Sequence, residues 1–191
     1  MVCLTGMPGS GKSTIVSALK EEGYFTLTLG DGVRAEAKRR NLEPTGQNLG
    51  KIMLELREKN GAGAIALLLV DQITNTKDSI VIIDGVRSNA EIEVLKKIGI
   101  VKLLAITAST ETRFNFLKAR GRSDDPDTPE KFNERDTREL GIGINESIDA
   151  SDEKILNSGL TRSGSAYTKL NVCRVEINRK YSGNSNIRIR R

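Results

Sequence analysis

Apolar residues along this chain fall into short runs and helical stripes that alternate with one another. Strand-like runs bounded by turn residues are predicted at Val2 to Thr5, Phe25 to Leu29, Ser79 to Asp84, Val101 to Thr107 and, with a fainter pattern, Lys154 to Asn157. Between them the spacing changes to that of a helix. Lys12 to Glu22 follows the first run; Leu49, Ile52, Met53 and Leu56 share one face of a later segment; Ala62 to Ile73 continues in Ala and Leu. Ser88 with Glu91 three residues on forms a capping box ahead of Ile92, Leu95 and Ile98, and Thr110 to Ala119 puts Phe114 and Leu117 on its buried side. Strands alternating with helices imply an α/β fold: a mostly parallel, doubly wound five-stranded sheet flanked by helices.

Two segments break the alternation. Gly121 to Glu130 is charged and carries Pro126 and Pro129, so it reads as an exposed loop, with Thr128 and Pro129 starting a helix through Arg138. Together, residues of about 120–140 make a short helical lid. Beyond Thr161, Ser163 to Ser165 interrupts any helix, and alternation over Leu170 to Ile177 and Ile187 to Arg191 suits a β-hairpin or a disordered tail equally.

Composition changes this picture in one respect. The 191 residues suit one compact domain, and 30 basic against 25 acidic residues give a net charge of +5. Residues 159–191 hold eight Lys or Arg and one acid, however, which leaves 22 basic and 24 acidic residues in 1–158. The basicity belongs to the tail, where weak contact with nucleic acid is the expected partnership. Absence of histidine removes His-based acid/base chemistry and His-ligated metals. Cys3, in an apolar run, and Cys173 are too few for a disulfide framework and read as structural residues of a protein in a reducing, cytoplasmic compartment. No apolar run approaches 18 residues, and Val2 to Thr5 leads into a structural motif rather than a signal peptide, so no membrane is expected as partner.

The chemistry is concentrated at residues 6–13, which read GMPGSGKS and fit the phosphate-binding pattern G-x-x-x-x-G-K-[ST] without deviation. This string follows a strand and opens a helix, where successive backbone N–H groups converge on one anion. Gly6, Met7, Pro8, Gly9, Ser10, Gly11, Lys12, Ser13 and Thr14 are therefore the candidate ATP site. Lys12 supplies a mobile charge for the outer phosphates. Ser13 is a ligand for Mg²⁺, and Asp84, closing the apolar run Ile80 to Ile83, is the second metal candidate, directly or through water.

A GTPase would need N-K-x-D and D-x-x-G; Asn75-Thr76-Lys77-Asp78 has the wrong spacing and no D-x-x-G occurs. A motor ATPase needs more chain. Arginines past the strands point instead to a phosphorylated acceptor. Gly30-Asp31-Gly32-Val33-Arg34 follows the second strand, with Asp31 as N-cap, and Asp84-Gly85-Val86-Arg87 follows the third, so Asp31, Arg34 and Arg87 would bind the acceptor, two of them through bidentate guanidinium contacts. Arg120, Arg122, Arg135 and Arg138 surround the Pro-containing loop, where a closing lid would bring charge to the migrating phosphoryl group. Lys12, Arg87, Arg122 and Arg138 are the catalytic candidates. Alternation of Arg135 and Arg138 with Glu134, Asp136 and Glu139 equally fits a solvated, ion-paired face.

Taken together, GMPGSGKS, the G-D-x-x-R and D-G-x-R strings and R-x-D-D resemble the adenylate kinase and nucleoside monophosphate kinase group. More closely, GDGVRAEAKRRNLEPT, NLGKIMLELREKNG, IIDGVRSNAEIE and GRSDDP resemble an archaeal family of adenylate-kinase-related P-loop proteins, over about residues 1–158. The resemblance implies a P-loop NTPase sheet with the first and third strands adjacent, acceptor-binding helices at about 31–75, and a lid in which Arg120 or Arg122 meets the donor. The lid here is short and without a Cys cluster, and DGVR lacks the proline that many adenylate kinases place before that arginine. The expected activity is transfer of the γ-phosphoryl group of ATP·Mg²⁺ to a nucleoside monophosphate. Two alternatives stand beside it: a dephospho-CoA kinase-like transfer to a hydroxyl with Asp31 as base, and an ATP-binding or RNA-associated regulator using the basic tail.

Overall fold

Period-two alternation sorts the strand side chains onto two faces, each with its own core. In the computed structural model, which describes residues 1–157, five short strands form one sheet: β1 (Val2–Thr5), β2 (Phe25–Thr28), β3 (Val81–Val86), β4 (Lys102–Thr107) and β5 (Glu153–Leu156). Cys3, Ile83 and Leu103 face Leu29, Ile52, Ile65 and Leu95, whereas Val2, Leu4, Ile82, Leu104 and Ile106 face Ile15 and Leu19. Each such side chain contributes roughly 1.5–3 kcal/mol on leaving water. The basic tail, its hairpin or disordered alternatives, and Cys173 lie outside the described residues.

All strand pairs are parallel, in the order β2-β3-β1-β4-β5. This is a P-loop NTPase-like fold. After β1 the chain turns first to the β2–β3 side and later to β4 and β5, so ligand-binding turns are expected at the carboxyl end of β1. Helix α1 (Lys12–Glu21) covers one face; α2 (Leu29–Arg39), α3 (Gly46–Asn60), α4 (Ala64–Leu67), α5 (Val70–Asn75) and α6 (Asn89–Lys96) cover the other. Helices α7 (Thr110–Arg120), α8 (Pro129–Ile142) and α9 (Ile144–Asp149) complete the described chain. Among the described residues no helix is long and apolar enough to cross a membrane.

Several boundaries differ from the sequence expectation for physical reasons. Leu29 is fully buried and opens α2 directly after β2, with extended Thr28 at the N-cap; Asp31 therefore lies in the first turn and not at the cap. Strand β3 runs past Asp84 to Val86 because Gly85, at φ 87°, accommodates an irregularity in its pairing with β1. The stretch Ala62 to Ile73 divides into α4 and α5 because Ala66, Leu68 and Leu69 donate to carbonyls three residues back, tightening the turn between them. On α7 the buried side carries Arg113 with Leu117, while Phe114 is half-buried and meets Phe132 edge-on at 5.4 Å.

Candidate functional site

The glycine-rich string folds as a loop between Thr5 of β1 and Lys12, the first residue of α1. Gly9 and Gly11 take φ values of 81° and 97°, in the left-handed region that disfavours other residues. Gly11 caps α1 with no side-chain acceptor, which leaves the N–H groups of the first turn available to an anion. The Lys12 ammonium donates to the carbonyls of Gly6 (2.6 Å) and Met7 (3.1 Å) and to Ser10 Oγ (3.3 Å), so it is folded over its own loop. Met7 and Ser10 thus act through acceptors for Lys12 and do not line the cavity.

That cavity, of about 490 Å³, opens from the loop across the carboxyl end of the sheet. Gly6, Pro8, Gly9, Gly11, Lys12, Ser13 and Thr14 form one wall. Arg34 from α2, Asp84 and Arg87 from the end of β3, and Arg120, Arg122 and Arg135 from the lid side also line the cavity, with Phe116 and Asn157 at the α7 and β5 edges. Two candidates are elsewhere. Asp31 lines no part of it; its side chain is 70% exposed and accepts from Arg34 at 2.8 Å. Arg138 lines a second cavity of about 40 Å³ with Leu49, Met53 and Glu139, and donates to the Gly46 carbonyl at 3.3 Å.

Carboxylates from the lid hold these arginines in place. Arg34 donates to both oxygens of Asp124 at 3.1 Å; Asp125 accepts from Arg120 Nε at 2.8 Å and from Arg135 Nη1 at 3.1 Å. Residues 121–130 are consequently not a wholly exposed loop: the Asp125 side chain is 2% exposed, Asp124 is nearly as enclosed, and Pro126 is buried. The charged face of α8 is likewise turned inward. Arg135 is largely buried, and Glu139, 2% exposed, lies 2.8 Å from Arg87 Nε. Partners for these α8 charges come from the preceding loop and from the end of β3, so their alternation along the helix does not mark a solvated surface.

Electrostatics follow from enclosure. Burial lowers the Lys12 ammonium to about 8, with Asp84 the largest opposing influence. Burial also raises Asp84, against the pull of Lys12 and Arg87. Desolvation works against the charge of Arg87, yet Glu139, Glu91 and Asp84 hold it above the ordinary arginine range; Arg135 falls below that range because burial outweighs Glu139 and Asp124. Asp84 Oδ1 is buried with no hydrogen-bond partner among the described residues. An unpaired carboxylate oxygen and the Ser13 hydroxyl, both lining this cavity, are a donor set that suits Mg²⁺, which takes one or two protein oxygens and completes its shell with phosphate and water. Among the described residues no group of three or more His, Cys, Asp or Glu could hold a metal ion by itself.

Relatives share this chain over most of its length. The UPF0200 protein of Hyperthermus butylicus is 41% identical over 157 residues, 82% of this chain and 84% of the relative. That of Thermococcus gammatolerans is 42% identical over 167 residues, covering 83% and 86%. The chain belongs to the UPF0200 family. Residues 5–133, from the end of β1 into α8, also match the family described as AAA domain, which bears out the resemblance to archaeal P-loop proteins. Among solved structures, TT1252 from Thermus thermophilus is similar at TM-score 0.65 and 18% identity, over 92% of this chain and 96% of its own. Shikimate kinase from Acinetobacter baumannii, in complex with shikimate, is similar at 0.57 and 16%, over 94% of both. The fold of the UPF0200 chain is thus P-loop kinase-like.

Sequence reasoning passed over four residues that the fold brings to this region. Phe116 and Asn157 line the cavity, Arg113 reaches the loop at the Pro8 carbonyl, and Glu139 faces Arg87. Arg113 had a legible signal: a cation one helical turn from Leu117, on the stripe that has to be buried. Asn157 had none, because only the sheet brings the end of β5 beside Gly11.

Proposed function

We propose that this chain is a kinase that transfers the γ-phosphoryl group of ATP, taken up with Mg²⁺, to a small molecule already bearing a phosphate, most simply a nucleoside monophosphate. One observation carries this reading: six cationic side chains and a single carboxylate line one cavity that opens from the phosphate loop. Such an excess suits two phosphorylated ligands better than one.

In this reading the loop N–H groups and the start of α1 hold the donor phosphates, and Lys12 exchanges the carbonyls of Gly6 and Met7 for the outer phosphate oxygens. Arg34 and Arg87 grip the acceptor phosphate through their guanidinium forks. Arg120 and Arg122 approach from the lid and carry charge to the group in transit. Arg138, outside the main cavity, secures the start of α3. Ser13 and Asp84 would hold Mg²⁺, which would supply positive charge to offset that of the phosphate oxygens. The acceptor phosphate is already an anion, so positioning and charge suffice without a general base. Transfer to a hydroxyl would call for a carboxylate beside the acceptor, and Asp31 stands outside the cavity.

The test is a panel of acceptors, all nucleoside monophosphates and dephospho-CoA, incubated with labelled ATP·Mg²⁺. Label is expected on a monophosphate with the native chain and on nothing with Lys12→Ala. Label on the dephospho-CoA hydroxyl alone would sink the proposal.

A further inference from the structure

The loop is held in position from two sides by side chains to which no role has yet been given. Arg113 on α7, 5% exposed, donates from Nη1 to the Pro8 carbonyl at 3.2 Å. Asn157, 2% exposed at the end of β5, donates from Nδ2 to the Ser10 carbonyl at 2.9 Å. Both contacts are buried. In a trans peptide the C=O and the following N–H point in opposite directions, so a captured carbonyl fixes the aim of the next residue's N–H. The residues that follow are Gly9 and Gly11, both on the cavity wall.

Packing alone does not account for an arginine at this place. Its charge is matched by Asp136, which accepts from Nη1 at 2.9 Å and from Nη2 as well, and its guanidinium lies 4.8 Å from the centre of the Phe132 ring. Asp136 and Phe132 both belong to α8. Arg113 therefore ties the lid helix to the phosphate loop. The fit around the loop is close on both sides: a Cβ at Gly9 would fall 2.3 Å from the Arg113 carbonyl oxygen, and one at Gly11 the same distance from Asn157 Nδ2.

We infer that Arg113 and Asn157 are positioning residues that aim the Gly9 and Gly11 N–H groups at the phosphates of the nucleotide, with Arg113 passing the seating of the lid helix to the loop. This rests on the proposed triphosphate site and adds to it which residues hold that site ready.

Calorimetric titration of the full chain with ATP·Mg²⁺ and, separately, inorganic tripolyphosphate tests it, with thermal unfolding of the unliganded proteins measured alongside. The variants are Arg113→Met, Arg113→Lys, Asn157→Leu and Asp136→Asn. Lysine keeps the charge beside Asp136 and loses the fork, so Arg113→Lys is the informative variant if Arg113→Met does not fold. Each Arg113 variant is expected to bind both ligands roughly 10-fold to 100-fold more weakly, the value of one charge-assisted hydrogen bond, Asn157→Leu about 3-fold to 10-fold more weakly, the value of a neutral one, and Asp136→Asn by a smaller factor than the Arg113 variants. Folded variants that bind as the native chain does, whatever their melting temperatures, would overturn the inference, as would a loss confined to ATP and absent for tripolyphosphate. A native chain that binds neither ligand would refute the triphosphate site itself, and this inference with it.

Discussion

Lys12 is charged below about pH 8 and neutral above it, because burial lowers its ammonium while Asp84 and Glu139 resist the fall. Binding of ATP by the free protein is therefore expected to weaken as pH rises through that value, whereas Lys12→Met should bind weakly and without a step between pH 7 and 9; an equally flat native profile would remove Lys12 from the donor site. Asp84 has the opposite balance. Its carboxylate is raised by burial, so holding it ionised at neutral pH costs stability that is regained as pH falls and the group takes up a proton. Asp84→Asn is expected to raise the melting temperature at pH 7 while lowering Mg²⁺-dependent turnover at least tenfold, of the order expected when a metal's charge is misplaced. Retained turnover would show that the metal is held elsewhere. The donor string was fully legible in the sequence because its whole geometry is local; the role of Asp31 was not, since Leu29 enters the core and α2 starts ahead of Asp31, with Thr28 and not Asp31 at its cap.

At the level of elements, caps written in neighbouring residues were readable and contacts between distant ones were not. Ser88 accepts from the Glu91 N–H and Thr128 from that of Lys131, as their spacing suggests. Glu91, however, turns its carboxylate not back to the Ser88 N–H but to the Arg87 N–H at 2.7 Å and to Arg57 at 2.6 Å, tying the end of β3 to α3. The lid shows the same limit. In the sequence Asp124 and Asp125 read as loop charges, because nothing local reveals that Arg34, ninety residues away, and Arg135 close over them. Asp125 joins Arg120 of α7, 26% exposed, to Arg135 of α8, which also meets Asp124, so Asp125→Ala removes the partner they share. A loss of about 1.5–3 kcal/mol in unfolding free energy is expected from denaturant titration. A loss below about 1 kcal/mol would mean that the connection is solvated and contributes as a surface pair does.

For the molecule as a whole, the uneven charge divides the chain into a slightly acidic P-loop body and a basic tail. Within the body, positive charge is gathered on one cavity, which explains how a chain with net charge −2 over residues 1–158 presents six cations to a ligand. Truncation after Gly159 is accordingly expected to leave ATP binding within about twofold while removing any salt-sensitive binding of nucleic acid; loss of ATP binding on truncation would instead make the tail part of the nucleotide site. The central claim is transfer and not hydrolysis. It is tested most directly by ³¹P NMR of the full chain with ATP, Mg²⁺ and a pool of nucleoside monophosphates. Growth of two nucleoside diphosphates for each ATP consumed, both of them ADP if AMP is the acceptor, without inorganic phosphate is the expected result, whereas growth of ADP with inorganic phosphate, or no change in ATP, would contradict it.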